Sequence, residues 1–151
     1  MTLFYSNSNI NTVEEFEKRL DAVRHLAQAD SAELAVDSYD HGDWVAQVAR
    51  GFENEPEKGS RCARCFRYNL ARTAEYAAAH GFDAFATSLS VSPHKISEMI
   101  FAASDDKRFL KADFKKKDGF KASLKRSEEL GLYRQSYCGC EFSLCRAPRP
   151  K

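Results

Sequence analysis

Two close pairs of cysteines are the residues in this sequence whose type and spacing could do chemistry. Two residues separate Cys62 from Cys65, and one residue separates Cys138 from Cys140. The chain has five cysteines, so four of them fall in these pairs. Outside oxidising compartments, close thiol pairs more often bind metal or cycle between redox states than form permanent bridges. We therefore predict redox or metal chemistry at two sites that the rest of the chain must position.

The upstream pair, Cys62 and Cys65, stands at the start of a predicted helix. This arrangement is used by zinc sites, iron–sulfur ligands and dithiol redox sites. Unpaired amides and the helix dipole stabilise a thiolate at such a terminus. A single CxxC motif is a weak signal, and a pair of buried structural thiols is the simpler alternative.

The downstream pair, Cys138 and Cys140, favours redox chemistry more specifically. A disulfide between them would close a small ring with unusual backbone geometry, which Gly139 can supply. Such a bridge is strained and easily reduced, as suits a pair that shuttles electrons. The alternative is joint metal ligation with the upstream pair, which would give a four-cysteine zinc site. Cys145 has no close partner in the sequence and is predicted to be a bystander.

Several polar residues near these motifs could handle a substrate. Four residues, Tyr133, Arg134, Gln135 and Tyr137, combine aromatic, cationic and amide groups, which can stack on and hydrogen-bond a nucleobase. Ordinary packing is the alternative, and it is strongest for Tyr133. His94 and Lys95 follow a predicted strand, where open α/β sheets bind ligands. His94 could donate a proton, although a lone histidine is more often structural or solvent-facing.

The net charge of +1 conceals a strongly basic segment at 107–126. It contains nine basic and two acidic residues, so it carries +7 while the remainder of the chain carries −6. Lys115 and Lys116 lie at its centre. Such a local excess predicts a polyanionic partner, most simply nucleic acid, and a solvated helix face is an equally good alternative.

The elements that must position these residues alternate along the chain. Strands are predicted at 2–6, 32–39, 82–90 and 109–114, and helices at 12–29, 43–48, 62–80, 95–103 and 123–130. Thr12 and Glu15 are predicted to form a capping box, and Asp43 to cap the second helix. The alternation predicts an α/β fold with a mostly parallel sheet flanked by helices.

Length and composition predict one soluble globular domain. With 151 residues, we expect a single α/β domain over 1–145 and a flexible tail over 146–151. There is no apolar run long enough for a membrane span and no visible secretory signal, so we expect the protein to be cytoplasmic.

Six segments, taken in order, resemble one protein family. They are FYSNSNI at 4–10, EFEKRL at 15–20, RCARCFR at 61–67, TSLSVSPHK at 87–95, DFKK at 113–116 and LYRQSYCGC at 132–140. Together they are similar to the QueH-type epoxyqueuosine reductases. The resemblance covers nearly the whole chain, and the RCxxC and YRQxYCGC blocks are its most specific part.

The resemblance implies a HUP-type α/β fold, similar to the adenine nucleotide alpha-hydrolases. It implies reduction of epoxyqueuosine to queuosine at the wobble position of tRNA. By the same resemblance, Cys62 and Cys65 are ligands of a 4Fe-4S cluster, beside which an additional iron is a further expectation. Cys138 and Cys140 are then a redox-active dithiol. The basic segment would hold the anticodon arm by its phosphates.

The sequence departs from the family pattern at its beginning. Family members start with a further strand that ends in adjacent cysteines, and those cysteines supply the other two cluster ligands. Here no cysteine precedes Cys62, and the chain begins at the equivalent of the family's second strand. We therefore expect the first βα unit and half of the cluster ligands to be missing. The alternatives are a non-catalytic zinc- and RNA-binding module, or an inactive truncated family member.

Overall fold

The structure is a computed structural model that describes residues 1–144 of the 151-residue chain. These residues form two compact units, one of Met1–Ala46 with the residues from Ser127 onward, and one of Gln47–Arg126. The flexible tail predicted over 146–151 lies outside the described residues, and the single domain over 1–145 stays a prediction. None of the helices in residues 1–144 has both the length and the apolar character to cross a membrane.

The first unit opens with a strand, a helix and a second strand. Strand β1 covers Thr2–Tyr5, helix α1 covers Val13–Ala29, and strand β2 covers Glu33–Val36. The strands are parallel, with Thr2 opposite Glu33 and Tyr5 opposite Val36. This confirms the α/β class and the parallel pairing, as a two-stranded sheet with helices.

The core of the first unit lies between this sheet and α1. Phe16 and Leu20, one helical turn apart, are buried together with Tyr5 and Ile10. The Tyr5 and Phe16 rings lie 5.0 Å apart, and the Tyr5 hydroxyl donates to the Phe16 carbonyl at 2.9 Å. Burial raises the pKa of Tyr5, so its hydroxyl stays protonated and keeps donating at physiological pH.

The start of α1 corrects one prediction. Thr12 occupies the N-cap position, as predicted, but its side chain makes no capping hydrogen bond. Glu15 does not complete a capping box, because its buried carboxylate accepts from Arg19 instead. A buried guanidinium is a stronger partner for a carboxylate than a backbone amide.

A short helix and a π-helical turn follow β2. Helix α2 covers His41–Trp44, and the π-helical turn covers Val45–Ala49. The predicted cap was wrong by one turn, because the Asp40 carboxylate accepts from the Asp43 N–H at 2.8 Å. Asp40 lies just before the helix, where a carboxylate can reach the free amides of the first turn.

The second unit is built on a long helix. Helix α3 covers Ser60–Ala79, helix α4 covers Ser97–Phe101, and helix α5 covers Gly119–Glu129, whose last residues belong to the first unit. Among the described residues, the buried core of this unit comes from α3, α4 and the loops around them, namely Phe66, Leu70, Ala77, Phe85, Ile100, Ala103 and Phe109.

The strands predicted at 82–90 and 109–114 were wrong. Only one parallel bridge forms there, in which the Phe85 N–H donates to Arg108 and the Leu110 N–H donates to Phe85. The ladder does not continue, because the Ala112 N–H turns back to the Leu110 carbonyl at 2.8 Å instead of pairing across. Residues 88–91 form a 3-10 helix instead.

The core of the second unit can be tested at Ile100, which is fully buried on α4. Ile100→Ala should lower the free energy of unfolding by about 2–5 kcal/mol, because it leaves a cavity. The matched control is Ile96→Ala, since Ile96 is 40% exposed just before the same helix. The control should lose less than about 1 kcal/mol. Urea denaturation followed by circular dichroism measures both, and equal losses would contradict this core.

Candidate functional site

The upstream cysteine pair lies on the first turns of α3, as the sequence predicts. Cys62 and Cys65 are both partly buried. The Lys58 N–H lies 3.3 Å from the Cys62 sulfur, and the Asn69 side-chain amide lies 3.7 Å from the Cys65 sulfur. Such N–H donors stabilise thiolates and metal-bound sulfurs. Each sulfur of the pair therefore has an N–H donor beside it.

Arg61 fastens the loop that leads into this pair. The side chain is 2% exposed, and its guanidinium donates to the carbonyls of Phe52, Glu53 and Glu55 at 2.7, 3.1 and 2.9 Å. Arg64 lies with its guanidinium 4.6 Å from the Phe52 ring centre. Both arginines therefore contact the loop that leads into the thiol pair.

Two predicted substrate residues meet near the start of α3. The Lys95 ammonium lies 5.4 Å from the ring centre of Phe66, the residue after Cys65. The Lys115 ammonium donates to the Lys95 carbonyl at 3.2 Å and to the Ser97 hydroxyl. Lys95 and Lys115 are thus half-buried parts of the second unit's packing.

The other two predicted residues of this unit lie at its surface. His94 is exposed, and its backbone N–H lies 3.3 Å from the Ser92 hydroxyl. Lys116 is exposed in the basic segment. Most of that segment's cations are exposed as well, namely Lys107, Lys111, Lys116, Lys117, Lys121, Lys125 and Arg126. The second unit therefore presents a largely solvent-facing run of positive charge.

The chemistry of the donor set tests a 4Fe-4S cluster. A four-thiolate cluster site needs four ligands, and Cys62 and Cys65 have the spacing and N–H donors that two of them would need. Within residues 1–144, no group of three or more His, Cys, Asp or Glu side chains forms that could hold a metal ion. The pair fits one half of a cluster site, and the described residues do not complete it.

The downstream pair belongs to the first unit, where its loop is held by α1. We define the CGC loop as residues 138–140. The Arg19 guanidinium donates to the Cys138 carbonyl at 3.0 Å and to the Tyr137 carbonyl at 3.2 Å. It also lies 5.1 Å from the Tyr137 ring centre. One cation thus holds the loop through two carbonyls and an aromatic face.

The segment after β1 holds the middle of the CGC loop. The Asn11 N–H donates to the Gly139 carbonyl at 3.0 Å, and the Tyr137 hydroxyl donates to the Asn11 carbonyl at 3.1 Å. Gly139 has φ +127°, and a Cβ there would lie 3.1 Å from both Arg19 and Ile10. The backbone conformation therefore favours glycine, and a Cβ would in addition push against two side chains.

Glu15 links Arg19, the clamp that holds the CGC loop, to Tyr133. Its carboxylate accepts from the Arg19 Nε at 2.7 Å, and the two side chains are each 11% exposed. The Tyr133 hydroxyl donates to both Glu15 oxygens at 3.0 Å. Burial and this hydrogen bond raise the pKa of Tyr133, so it remains a donor at neutral pH. Tyr133 thus has a structural contact as well as an exposed ring face.

The remaining predicted residues of this unit are exposed. Arg134 donates to the Ser127 hydroxyl at 2.8 Å, and Gln135 is exposed beside it.

Just beyond the CGC loop, Glu141 opens helix α6, Glu141–Leu144, and its carboxylate lies 3.2 Å from His41 Nε2. His41 Nδ1 donates to the Ser8 carbonyl at 2.8 Å.

Sequence reasoning missed four residues around the CGC loop. They are Glu15, Arg19, His41 and Glu141. One signal was available: Glu15 and Arg19 lie four residues apart, and Glu15 directly precedes the buried Phe16. An opposite charge pair at the edge of an apolar helix face indicates a buried ion pair, although not its target. No such signal links His41 to Glu141.

Each unit therefore carries one thiol pair with its own support. The first unit brings the CGC loop together with Tyr133, and Arg134 and Gln135 lie exposed in the preceding turn. The second unit brings the CxxC pair of α3 together with Lys95 and Lys115. A held pair of thiols in one unit and a pair of thiols with N–H donors in the other are suited to electron transfer or metal binding.

Comparison with known proteins identifies the family. The sequence model of the family described as epoxyqueuosine reductase QueH matches residues 1–146. The chain belongs to this family. The match runs through both cysteine pairs and through the clamp residues of α1.

Individual relatives agree with the family match. An epoxyqueuosine reductase QueH from Streptococcus pyogenes is 36% identical over 155 residues, covering 95% of this chain and 60% of the relative. The protein of that name from Thermotoga maritima is 35% identical, covering 93% of this chain and 78% of the relative. That from Acinetobacter baylyi is 35% identical, covering 95% and 68%. The chain thus spans between three fifths and four fifths of these QueH proteins.

The support of the CxxC pair can be tested at Arg61. Arg61→Met keeps the length of the side chain but leaves three carbonyls without their donor. We expect the free energy of unfolding to fall by about 3 kcal/mol. Arg67→Met on the exposed face of α3 is the control and should change it by less than about 0.5 kcal/mol. Thermal and urea denaturation measure both, and a neutral Arg61→Met would rule out this fastening.

Proposed function

We propose that this chain reduces epoxyqueuosine to queuosine in tRNA, with Cys138 and Cys140 as the redox-active dithiol. The observation that carries the proposal is the held CGC loop, in which Gly139 has φ +127° and both neighbouring peptides are anchored. Two thiols one residue apart need such a backbone to form a bridge. Membership of the QueH family, whose relatives are named for this reaction, supports the same chemistry.

The reaction balances on two thiols and an epoxide. Converting the epoxide to an alkene breaks two C–O bonds, forms a C=C double bond and requires two electrons and two protons. The thiols of Cys138 and Cys140 supply both, because an S–S bond forms while their protons leave with the oxygen as water. A small-molecule or protein dithiol then reduces the disulfide and restores the two thiols. The CGC loop can therefore act as the two-electron donor.

Cys62 and Cys65 are proposed as two ligands of a 4Fe-4S cluster whose other ligands the described residues do not supply. A bound cluster would supply single electrons and a Lewis-acidic iron. The chain's own contribution is to place the Lys58 and Asn69 N–H donors beside the two sulfurs. The HUP-type fold is part of the same proposal, since β1, α1 and parallel β2 are the repeating unit of such sheets.

The proposed substrate is the anticodon arm of a tRNA, in the cytoplasm. The exposed cations of the basic segment would contact its phosphates. Arg134, Gln135 and the ring of Tyr133 are exposed next to the CGC loop in sequence, where they could stack on the modified base and bond its edge. His94, Lys95, Lys115 and Lys116 remain proposed substrate residues of the second unit.

The alternative function is a non-catalytic zinc- and RNA-binding module. Its specific support is that thiolates with N–H donors also suit zinc, which needs four ligands. Metal analysis separates the two proposals. Iron and sulfide bound after anaerobic reconstitution favour the reductase, and one zinc ion per chain without any redox change favours the module.

The dithiol can be tested by single substitutions. Cys138→Ser and Cys140→Ser should each abolish conversion of epoxyqueuosine in an anticodon stem-loop, because one thiol supplies only half of the electrons. Nucleoside mass spectrometry measures the loss of the oxygen atom. Cys145→Ser is the control and should retain activity. Full activity in either loop variant would overturn the role of this pair.

The basic segment can be tested through the salt dependence of binding. The pair Lys116→Ala and Lys117→Ala should weaken tRNA binding and reduce the slope of log affinity against log salt by about 1.4–1.8, for two lost phosphate contacts. Lys18→Ala with Arg24→Ala removes the same charge from the exposed face of α1. Fluorescence anisotropy at several salt concentrations measures both pairs, and equal slopes would place the RNA elsewhere.

A further inference from the structure

We infer that Arg19 and Glu15 are positioning residues that shift the Cys138–Cys140 couple toward its disulfide. The inference rests on the proposed role of the CGC loop as a redox pair. It concerns helix α1, which carries no cysteine. Arg19 of this helix lies 119 positions before Cys138 in the sequence.

The first step of the argument is the geometry of the Arg19 guanidinium. Its Nη1 and Nη2 donate to the Cys138 and Tyr137 carbonyls, and its Nε donates to Glu15. Because all three nitrogens are engaged, the group cannot rotate without breaking a hydrogen bond. A lysine ammonium could not reproduce this planar fork.

The second step is that Glu15 holds the guanidinium in place. The Glu15 carboxylate accepts from Arg19 at 2.7 Å and from the Tyr133 hydroxyl at 3.0 Å. It is buried on the first turn of α1, beside Phe16 in the core of the first unit. The clamp is therefore anchored in a packed helix rather than in another loop.

The third step concerns the cost of closing the disulfide. In a flexible loop, closing such a small ring would also require ordering of the backbone on both sides of the glycine. Here Arg19 holds the peptides before Gly139, and Asn11 holds the Gly139 carbonyl at 3.0 Å. The backbone is thus ordered before the bond forms, which favours the oxidised form of the pair.

The test measures the thiol couple itself in the full chain, on a Cys145→Ser background. Protein is equilibrated with reduced and oxidised glutathione, and free thiols are then blocked with maleimide. Mass spectrometry of the tryptic peptide that contains 138–140 gives the fraction of disulfide. Arg19→Met should lower the equilibrium constant for the disulfide by roughly fivefold, the scale of one hydrogen bond. For a two-electron couple this corresponds to about 20 mV.

Three further variants and one control identify the cause. Arg19→Lys should behave like Arg19→Met, because it keeps the charge but loses the fork. Glu15→Gln and Tyr133→Phe should shift the couple in the same direction by smaller amounts. These two variants replace Arg19→Met as the test if Arg19→Met does not fold. Arg24→Met, an exposed arginine of the same helix, should leave the couple unchanged.

Two results would overturn the inference. One is an unchanged couple in both Arg19→Met and Glu15→Gln, and the other is full restoration by Arg19→Lys. Because the measurement uses no tRNA, it separates the clamp from the reaction. If the thiol–disulfide equilibrium shifts as expected but the chain never reduces epoxyqueuosine, the proposed function is wrong and the inference about Arg19 stands. Where the chain is active, Arg19→Met should lower kcat and leave KM for the stem-loop unchanged.

Discussion

The contact of Arg19 with the backbone beside Cys138 is the interaction on which the first unit's site depends. A loop of two partly buried thiols and a buried glycine has few side-chain atoms to fix its own backbone, so its conformation must come from elsewhere. Here it comes from a helix whose buried Glu15 holds the guanidinium at 2.7 Å. The site is thereby fixed to the same core that pairs β1 with β2.

The second unit solves a similar problem in a similar way. The loop before Cys62 is acidic and polar, so it has few apolar side chains whose burial could fix its conformation. The guanidinium of Arg61, a residue that is 2% exposed, donates to three carbonyls of this loop. Arginine is suited to this work because its several donors are held in one plane and its charge is delocalised. Both thiol pairs are thus supported by arginines that contact the backbone beside them.

Local patterns predicted much of the framework. Helices α1 and α3 and strands β1 and β2 were expected within a few residues, because their apolar periodicity and turn signals are local properties. The same reasoning predicted strands at 82–90 and 109–114 that the structure does not form. Whether an apolar run becomes a strand depends on its partner, and here both segments turn after one bridge, at the 3-10 helix of 88–91 and at the Ala112 N–H that donates to Leu110. The pairing of two segments cannot be read from either segment alone.

The sequence by itself determined the chemistry: which residues are thiols, how they are spaced, that Gly139 lies between two of them, and that one segment is strongly basic. These follow from residue type and order, and they were enough to indicate the family. Only the tertiary structure decided what holds the thiols, because Arg19 and Cys138 are 119 positions apart. No local pattern specifies which distant carbonyl a guanidinium will meet, since that depends on how the helix packs.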